Sequence, residues 1–572
     1  MLFERYWGLS VSNIVRARLV GLVGISAPLR TRWVRAAIRG VLLAVLGLPL
    51  AMPASAVDYY DTVIHGGTIV DGTGGAPFVG AVAIRDQQIV AIGDLPPHQA
   101  REAIDASGLH VSPGFIDLHS HADYAMRSNP LMPNLLQQGI TSILAGNCGS
   151  SPDNIGDALD FIDGTGTGPN MGFLIGHNTV RRQVLGEQDA SANPETLAAM
   201  AQLTAQAMTE GAFGLSTGLK YVPGVYASTE EVVALAQVAA QYRGFYATHL
   251  RDEGANLLPA LNEAIGIGEA SGLPVHISHH KAIGTAAWGA SEQSLRLIDS
   301  ARERGLDVTA DQYPYTASST SFEILFPAWS LAGGQTELLK RLAVPEQRAR
   351  IKAELMHAIE TDRGGGDPSR IQVAHFKPNP TLNGKTFRHI LEQRGIPANI
   401  EQAAELAIEL QAAGGGQAIY HAIHEQDVRR IMRHPQVSIA TDTGAIHYGR
   451  GNPHPRGYGT FPRVLGYYQR SEGLMSLPEA IRKMTALPAA RLGLVNRGQL
   501  LAGYAADLVI FDAETVADRA TFEQPHRYAT GITYVIVNGE IAYNPQGLTG
   551  VRAGQALRHV PSSAWRDNGL LP

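Results

Sequence analysis

The sequence contains a single cysteine, Cys148, among its 572 residues. An intramolecular disulfide is therefore excluded, and so is a zinc finger built on two or four cysteines. Charged residues are few, at 17%, and 46 Lys and Arg against 52 Asp and Glu leave a net charge of -6. Without a basic excess to neutralise phosphates, we predict no nucleic-acid partner. The 45% of hydrophobic residues indicates a large folded core, either in several domains or in one large barrel.

The sequence also has little that could anchor it in a membrane. The apolar run at 40–50 is well short of the roughly 20 residues that a membrane-spanning helix needs. Three arginines between positions 32 and 39 precede this run and Ala54-Ser55-Ala56 follows it, which is the order of a secretory signal. We therefore predict a signal peptide over residues 1–56, cleavage after Ala56 and export to the periplasm, with a permanent anchor as the less favoured alternative.

Short strands of two kinds are present in the rest of the chain. Eight apolar runs that end on polar or small residues alternate with helical patterns, which predicts a parallel (β/α)8 TIM-type barrel over residues 113–486. Alternating strands at 57–112 and 487–550 predict one small β-sheet domain built from both ends of the mature chain. The long interval 316–436 predicts a subdomain inserted between barrel strands seven and eight. An open, doubly wound sheet is the alternative.

Metal-ligand residue types occur at the ends of five of the predicted barrel strands, where barrel enzymes carry their chemistry. Each has an ordinary explanation by itself: a surface histidine pair, a buried thiol or a helix cap. Their coincidence on one barrel instead predicts a metal site. Side chains two residues apart share one face of a strand, so a His-Ser-His sequence can direct both imidazoles at one ion. The residues are His119 and His121 on strand one, Cys148 on strand two, His249 on strand five, His279 on strand six and Asp442 on strand eight.

The chemistry of these residue types predicts metal-assisted hydrolysis. Three nitrogen or sulfur ligands hold zinc tetrahedrally and leave the fourth position for water. Zinc lowers the pKa of that water to about 7 and polarises a substrate carbonyl. Asp442 then accepts the proton of the water and returns it to the leaving amine.

Eight segments also resemble one known family, the N-acyl-D-amino-acid deacylases (D-aminoacylases) of the amidohydrolase superfamily. The likeness covers nearly all of the chain after residue 56, and the cysteine on strand two, in place of a carboxylated lysine, is specific to this branch. The segments are PGFIDLHSHAD (113–123), GNCGSSP (146–152), GLSTGLKYVPG (214–224), THLRDE (248–253), ISHHKAIG (277–284), DQYPYTASST (311–320), TDTGAIHYGRGNPHPRGYGTFPRVL (441–465) and the stretch from ADLVIFD to VNGEI (506–541).

The resemblance implies hydrolysis of N-acyl-D-amino acids to a carboxylic acid and a D-amino acid, with Asp442 as the catalytic base and acid. It implies one tightly held zinc on Cys148, His249 and His279, and a weaker second divalent metal at His119 and His121. It also implies a small β-sandwich domain formed by residues 57–112 and 487–550, and a small-molecule substrate with a free carboxylate. The residues that it assigns to the α-carboxylate and the acyl amide are Lys281, Tyr313, Ser319 and Arg456, with Tyr221 near the carbonyl.

Several alternatives stay open at this point. The same site suits a dipeptide with a C-terminal D residue or a cyclic amide, although a cyclic amide needs no clamp for a carboxylate. An exported binding protein without activity is a third reading, but such a protein would be expected to lose Asp442 first. Lys220 is an alternative bridging ligand if carboxylated. Thr443 stands where the family has glycine, which leaves the side-chain preference open, and His280 faces away from His279 and is not predicted to be a ligand.

Overall fold

The computed structural model describes residues 60–560 of the chain. The predicted signal peptide, residues 1–56, lies outside these described residues. Between residues 60 and 560 no helix combines the length and the apolar character needed to cross a membrane.

Eight parallel strands form a barrel, which confirms the predicted fold class. The strands are short and almost entirely buried, as expected for a sheet covered on both faces. Strands eight and one close the barrel, because Asp442 N donates to His119 O at 2.8 Å and His121 N donates to Thr443 O at 2.8 Å. In barrel order the strands are Phe115–Asp117, Ile140–Ala145, Asn170–Phe173 continued by Ile175–Gly176, Gly214–Gly218, Phe245–His249, Val275–Ile277, Val308–Gln312 and Val437–Ile439.

Helices connect these strands and pack around them. The helix Pro194–Glu210 illustrates how sequence sets their bounds: the Asn193 side chain accepts a hydrogen bond from Thr196 N, and Gly211 in a left-handed conformation ends the helix. The barrel helices are Pro133–Leu136, Ile155–Thr165, His177–Leu185, Pro194–Glu210, Thr229–Gln241, Leu257–Ser271, Ser291–Glu303, Glu425–Arg433, Arg456–Arg463 with its π-helical continuation Val464–Ser471, Leu477–Met484 and Ala486–Leu492.

The two ends of the described chain build one nine-stranded sheet beside the barrel. Residues 110–113 pair with 508–511, so that strands from both ends share a hydrophobic core that includes Ile64, Val111 and Leu508. The strands are Tyr60–Ile69, Phe78–Arg85, Gln88–Gly93, Ala100–Asp105, His110–Pro113, Leu508–Phe511, Ile532–Val537, Glu540–Asn544 and Gly547–Leu548. A small β domain from both ends of the chain was the expectation.

An insert between barrel strands seven and eight has a core of its own. It contains a three-stranded antiparallel sheet and five helices, and Phe322, Phe387 and Tyr420 are among its fully buried side chains. Tyr221 of the barrel packs against this core. The strands are Ser318–Ser321, Ile371–His375 and Gln417–Tyr420; the helices are Ala328–Leu331, Gly334–Leu342, Pro345–Ala358, Phe387–Gln393 and Ile400–Ala412.

The bounds of the insert and of the terminal sheet remain proposals. The helix Glu425–Arg433 falls within the interval 316–436 but packs on the barrel helix Ser291–Glu303, so we propose that the insert ends before it. At the other bound, Arg491 donates to Asp307 and Thr309 of the barrel. We therefore propose that the helix Ala486–Leu492 belongs to the barrel and that the sheet domain resumes after it.

Candidate metal centre

Three of the predicted site residues have backbone conformations that side chains rarely adopt. Cys148, His279 and Asp442 have φ values of 53°, 36° and 50°, in the left-handed region. Each follows a buried barrel strand, so the sharp turn directs its side chain over the carboxyl end of the barrel. Such conformations cost of order 1–3 kcal/mol each and cluster at functional sites. The strain here falls on residues that sequence reasoning assigns to chemistry.

The donor atoms of the predicted tight metal position, formed by Cys148, His249 and His279, lie close enough to share one ion. Cys148 Sγ is 3.8 Å from His249 Nδ1 and 3.4 Å from His279 Nε2. Tetrahedral zinc ligands at the usual bond lengths stand about 3.3 to 3.6 Å apart. The two imidazole nitrogens are 2.7 Å apart, so they would have to separate by roughly 0.6 Å to bind one zinc. One thiolate and two imidazoles are a donor set that suits zinc.

The weaker metal position, predicted at His119 and His121, lies directly beside the tight one. His121 Nε2 is 3.1 Å from Asp442 Oδ1, and His119 Nε2 is 3.5 Å from the same oxygen. His119 Nε2 is also 3.2 Å from Cys148 Sγ. The structure therefore brings all five predicted ligands and Asp442 into one cluster, with Cys148 able to face both positions.

Glu253, which the sequence analysis missed, lies behind the ligand histidines. Its Oε1 is 3.1 Å from His279 Nδ1 and its Oε2 is 3.5 Å from His249 Nε2. Carboxylates in this position fix the orientation of metal-binding imidazoles. The only signal in the sequence is a glutamate four residues after His249 in THLRDE, and this signal has meaning only once the loop is folded.

Lys281 contacts Glu253 in the structure. Lys281 Nζ is 2.5 Å from Glu253 Oε1 and 2.8 Å from His279 Nδ1, and all three side chains are buried. Burial alone would raise the pKa of the Glu253 carboxyl, but Lys281 and the two histidines hold it well below its usual range. The buried carboxylate is thus kept ionised beneath the metal ligands.

Asp311 supports the histidines from the opposite side. Its Oδ2 is 2.8 Å from His276 Nε2 and 3.4 Å from His119 Nδ1, while Oδ1 accepts a hydrogen bond from His279 N at 2.7 Å. Asp311 is the first residue of the segment DQYPYTASST, and the sequence alone assigns it no role. It fixes the ring of one predicted ligand and the backbone turn of another.

Arg456 is paired with the predicted catalytic aspartate. Its Nη1 lies 2.8 Å from Asp442 Oδ2, Nη2 donates to Ser319 O at 3.3 Å, and Cζ lies 4.7 Å from the centre of the Tyr313 ring. Burial would raise the pKa of Asp442, but Arg456, His119 and His279 together hold it well below its usual range. Asp442 is therefore ionised, with its charge partly offset by Arg456.

A cavity of about 550 Å³ is lined by every residue of the cluster except His119 and by the predicted substrate-binding residues Lys281, Tyr313, Ser319, Arg456 and Tyr221. The Tyr221 ring lies 4.7 Å from the ring of His249, and the buried hydroxyl of Tyr313 has no hydrogen-bond partner in the described structure. A buried polar group without a partner, directed into a cavity, suits a ligand that brings its own polar atom.

Two further sequence expectations concern residues near the cluster. His280 lies outside the cavity lining and contacts Ser294 Oγ through Nε2 at 2.8 Å. Lys220 Nζ lies 3.4 Å from a carboxylate oxygen of Asp252 and 3.2 Å from one of Asp362. These are the contacts of a charged ammonium, and a carboxylated lysine, being an anion, would repel both groups.

Comparisons with known proteins find relatives that are similar over most of the chain. The model of the amidohydrolase family matches residues 102–543. D-aminoacylase of Alcaligenes xylosoxydans xylosoxydans is 38% identical over 522 residues, which are 87% of this chain and 97% of the relative. A solved D-aminoacylase structure, reported for the functional role of its binuclear metal centre, has a TM-score of 0.74 and 35% identity, covering 87% of this chain and 100% of that one.

A second solved structure comes from a relative with a different named substrate. It is the N-acyl-D-glutamate deacylase of Bordetella bronchiseptica, complexed with zinc and a phosphonate inhibitor that mimics the tetrahedral intermediate of the reaction. The TM-score is 0.76 at 34% identity, over 87% of this chain and 100% of that one.

The cluster predicts that bound metal protects Cys148 from alkylation. A metal-bound thiolate is not available as a nucleophile, so iodoacetamide should modify Cys148 slowly in the metal-loaded protein and rapidly after chelation. Mass spectrometry of the single cysteine measures both rates, with the unfolded protein as the reference for full reactivity. Equal rates before and after chelation would contradict a ligand role for Cys148.

Glu253→Gln should weaken metal binding about 10- to 100-fold, because the variant removes the carboxylate that orients His249 and His279. Competition with a chromogenic chelator measures the dissociation constant. Glu323→Gln is the matched control, since Glu323 lines the same cavity without an ion pair to either histidine. An unchanged dissociation constant in Glu253→Gln would show that the histidines need no such support.

Proposed function

The chain belongs to the amidohydrolase family, and from this premise we propose that it hydrolyses the amide bond of N-acyl-D-amino acids, releasing a carboxylic acid and a D-amino acid. The observation that carries the proposal is one cavity lined by a thiol, three of the four predicted ligand histidines and an ionised aspartate, with the buried cations Lys281 and Arg456 among the residues at its wall. The D-aminoacylase and the N-acyl-D-glutamate deacylase described above supply the handedness and the kind of amide.

We propose zinc as the resident metal. Cys148, His249 and His279 would hold the tight ion, and His119 and His121 would hold a weaker second divalent ion. Bound zinc would polarise the scissile carbonyl and lower the pKa of water. Support comes from the sulfur and nitrogen donors of the cluster and from the zinc in the deacylase relative.

Asp442 handles the proton in the proposed reaction. Its carboxylate accepts the proton of the water that attacks the carbonyl carbon and later gives it to the leaving nitrogen. Arg456 holds the pKa of Asp442 down while the cavity has no substrate. A substrate carboxylate that binds Arg456 shares this positive charge, and the basicity of Asp442 then rises when the substrate is in place.

The buried cations and hydroxyls would fix the substrate around its α-carbon. Arg456 and Lys281 bind the α-carboxylate, with Tyr313 and Ser319 beside them and Tyr221 near the carbonyl. Both cations already have acidic partners in the structure, so the substrate joins existing ion pairs. A fixed carboxylate, a fixed carbonyl and a confined side chain define three points, which is enough to distinguish enantiomers.

The proposed location of the enzyme is the periplasm. We propose that residues 1–56 are a signal peptide and that the mature enzyme works in the periplasm. The support is the order of arginines, apolar run and small residues in the sequence.

Asp442→Asn should lower kcat by on the order of 100-fold or more, because the amide keeps the shape of the side chain but cannot accept the proton. Metal content should stay close to that of the parent. Steady-state kinetics and elemental analysis of the same preparations measure both quantities. Turnover near the parent value would assign the base to another group.

The parent enzyme should cleave the N-acetyl derivatives of D-amino acids far faster than those of L-amino acids, and faster than the corresponding D-amino-acid amides that lack a carboxylate. Arg456→Met should reduce the preference for acid over amide in kcat/KM by roughly 1.5–3 kcal/mol, the value of a charged hydrogen bond. A chromatographic assay of the released amino acid or amino-acid amide measures all four combinations. A preference for the amide or for the L form would contradict the carboxylate clamp and favour another amide substrate.

A further inference from the structure

Arg363 is a buried guanidinium at the wall of the metal-site cavity, and the proposed reaction gives it no role. It ends a π-helical turn of the insert, Ile359–Arg363, and its side chain is only 2% exposed. It lines the same cavity as Tyr221, Lys281 and Arg456. The barrel supplies the metal ligands, whereas the insert supplies this third buried cation.

The hydrogen-bonding capacity of Arg363 is not used by the residues around it. Its Nε is buried and has no hydrogen-bond partner in the described part of the chain. Among residues 60–560 the one carboxylate within 4 Å is that of Asp362, whose Oδ2 lies 3.6 Å from Nε, beyond a hydrogen bond. The same oxygen lies closer to Lys220 Nζ, at 3.2 Å. A buried donor without a partner costs about 1–3 kcal/mol, and more when the group is charged.

The other two cations of the cavity differ from Arg363 in having a carboxylate oxygen within 2.8 Å, although Arg456 Nη1, like Arg363 Nε, makes no hydrogen bond within the described residues. Arg456 lies 2.8 Å from Asp442 and Lys281 lies 2.5 Å from Glu253. Although burial tends to lower the pKa of Arg363, Asp362 and Glu253 outweigh that effect, so its pKa lies above the usual value and the group is charged. A charged, planar fork with unused donors is the side chain best suited to bind a carboxylate.

The α-carboxylate of the substrate already has a place elsewhere in the cavity. Arg456 and Lys281 converge on Tyr313, with Arg456 Cζ at 4.7 Å and Lys281 Nζ at 5.6 Å from the centre of its ring. Arg363 comes from the insert, and within the described residues it makes no cation–π contact with the Tyr313 ring. The proposed reaction thus assigns the α-carboxylate to Arg456 and Lys281 and leaves Arg363 without an assigned partner.

We propose that Arg363 binds a second carboxylate of the substrate, so that the enzyme favours N-acyl-D-amino acids with two carboxylates over those with one. This inference rests on the proposed deacylase function and adds the class of substrate. A second carboxylate can belong to the amino-acid side chain, as in glutamate or aspartate, or to the acyl group, as in a succinyl group. In either case the insert, rather than the barrel, carries the residue that sets the preference.

Two substrate pairs isolate the second carboxylate in each location. N-acetyl-D-glutamate and N-acetyl-D-glutamine differ only in the side-chain carboxylate, whereas N-succinyl-D-leucine and N-acetyl-D-leucine differ in the acyl group. The parent enzyme should prefer the dicarboxylate in one pair. Arg363→Met should lower that ratio of kcat/KM about 10- to 100-fold, as expected for the loss of a charged hydrogen bond. Arg363→Lys should lower it less, because it keeps the charge without the fork.

Arg450→Met is the matched control, since Arg450 is an exposed arginine at the rim of the same cavity. It should leave the ratio within about twofold, because an exposed charge contributes little. Thermal unfolding and metal content of Arg363→Met establish that the variant is folded and loaded.

Three results would overturn the inference. The first is a parent enzyme with no preference for the dicarboxylate in either pair, a result that needs no variant. The second is an equal loss on both members of each pair in Arg363→Met, which would assign Arg363 to the α-carboxylate. The third is an equal fall of the ratio in Arg450→Met. If the glutamine and leucine derivatives are cleaved as fast as the dicarboxylates, the deacylase function stands and only this inference fails; if no N-acyl-D-amino acid is cleaved, the proposed function itself fails.

Discussion

Closure of the barrel between its eighth and first strands is the constraint on which the site depends. Asp117 accepts hydrogen bonds from Thr441 N at 3.0 Å and from the Thr441 hydroxyl, and His119 O accepts one from Asp442 N. These bonds join residues more than 300 positions apart and set Asp442 beside His119 and His121. Without this register Asp442 would not lie beside His119 and His121, and the three side chains could not share an ion or a proton.

The cost of this arrangement is a dense group of buried charges. Taking a charge out of water costs several kcal/mol, and a buried ion pair recovers this only with good geometry. Glu253 and Lys281 meet that condition through a hydrogen bond, whereas Asp442 and Arg456 are an ion pair at 2.8 Å. The pairs also serve function, since Glu253 orients two predicted metal ligands and Arg456 controls the basicity of Asp442. Burial of these charges lowers the stability of the fold, and the ion pairs keep Glu253 and Asp442 ionised.

The sequence was sufficient to predict the barrel, the terminal β domain, the insert and the cluster of Cys148, the four histidines and Asp442. These residues follow short apolar strands, and the carboxyl ends of the strands of a parallel barrel meet at one face, whatever the conformation of the loops. Glu253 and Arg363 could not be found in this way, because their contacts depend on a loop and on the insert. Asp311 lies on barrel strand seven, but the sequence does not show which histidines it faces. The pairing of Lys281 with Glu253 was missed for the same reason: the sequence shows a lysine beside a ligand but not the carboxylate that faces it.

X-ray absorption spectroscopy at the metal edge tests the central claim, that Cys148 is the anionic ligand of the metal centre, most directly. For the zinc-loaded protein the account predicts one sulfur at about 2.3 Å together with nitrogen or oxygen neighbours at about 2.0 Å. In Cys148→Ser the sulfur shell should disappear. A parent spectrum with nitrogen and oxygen neighbours only would contradict the account.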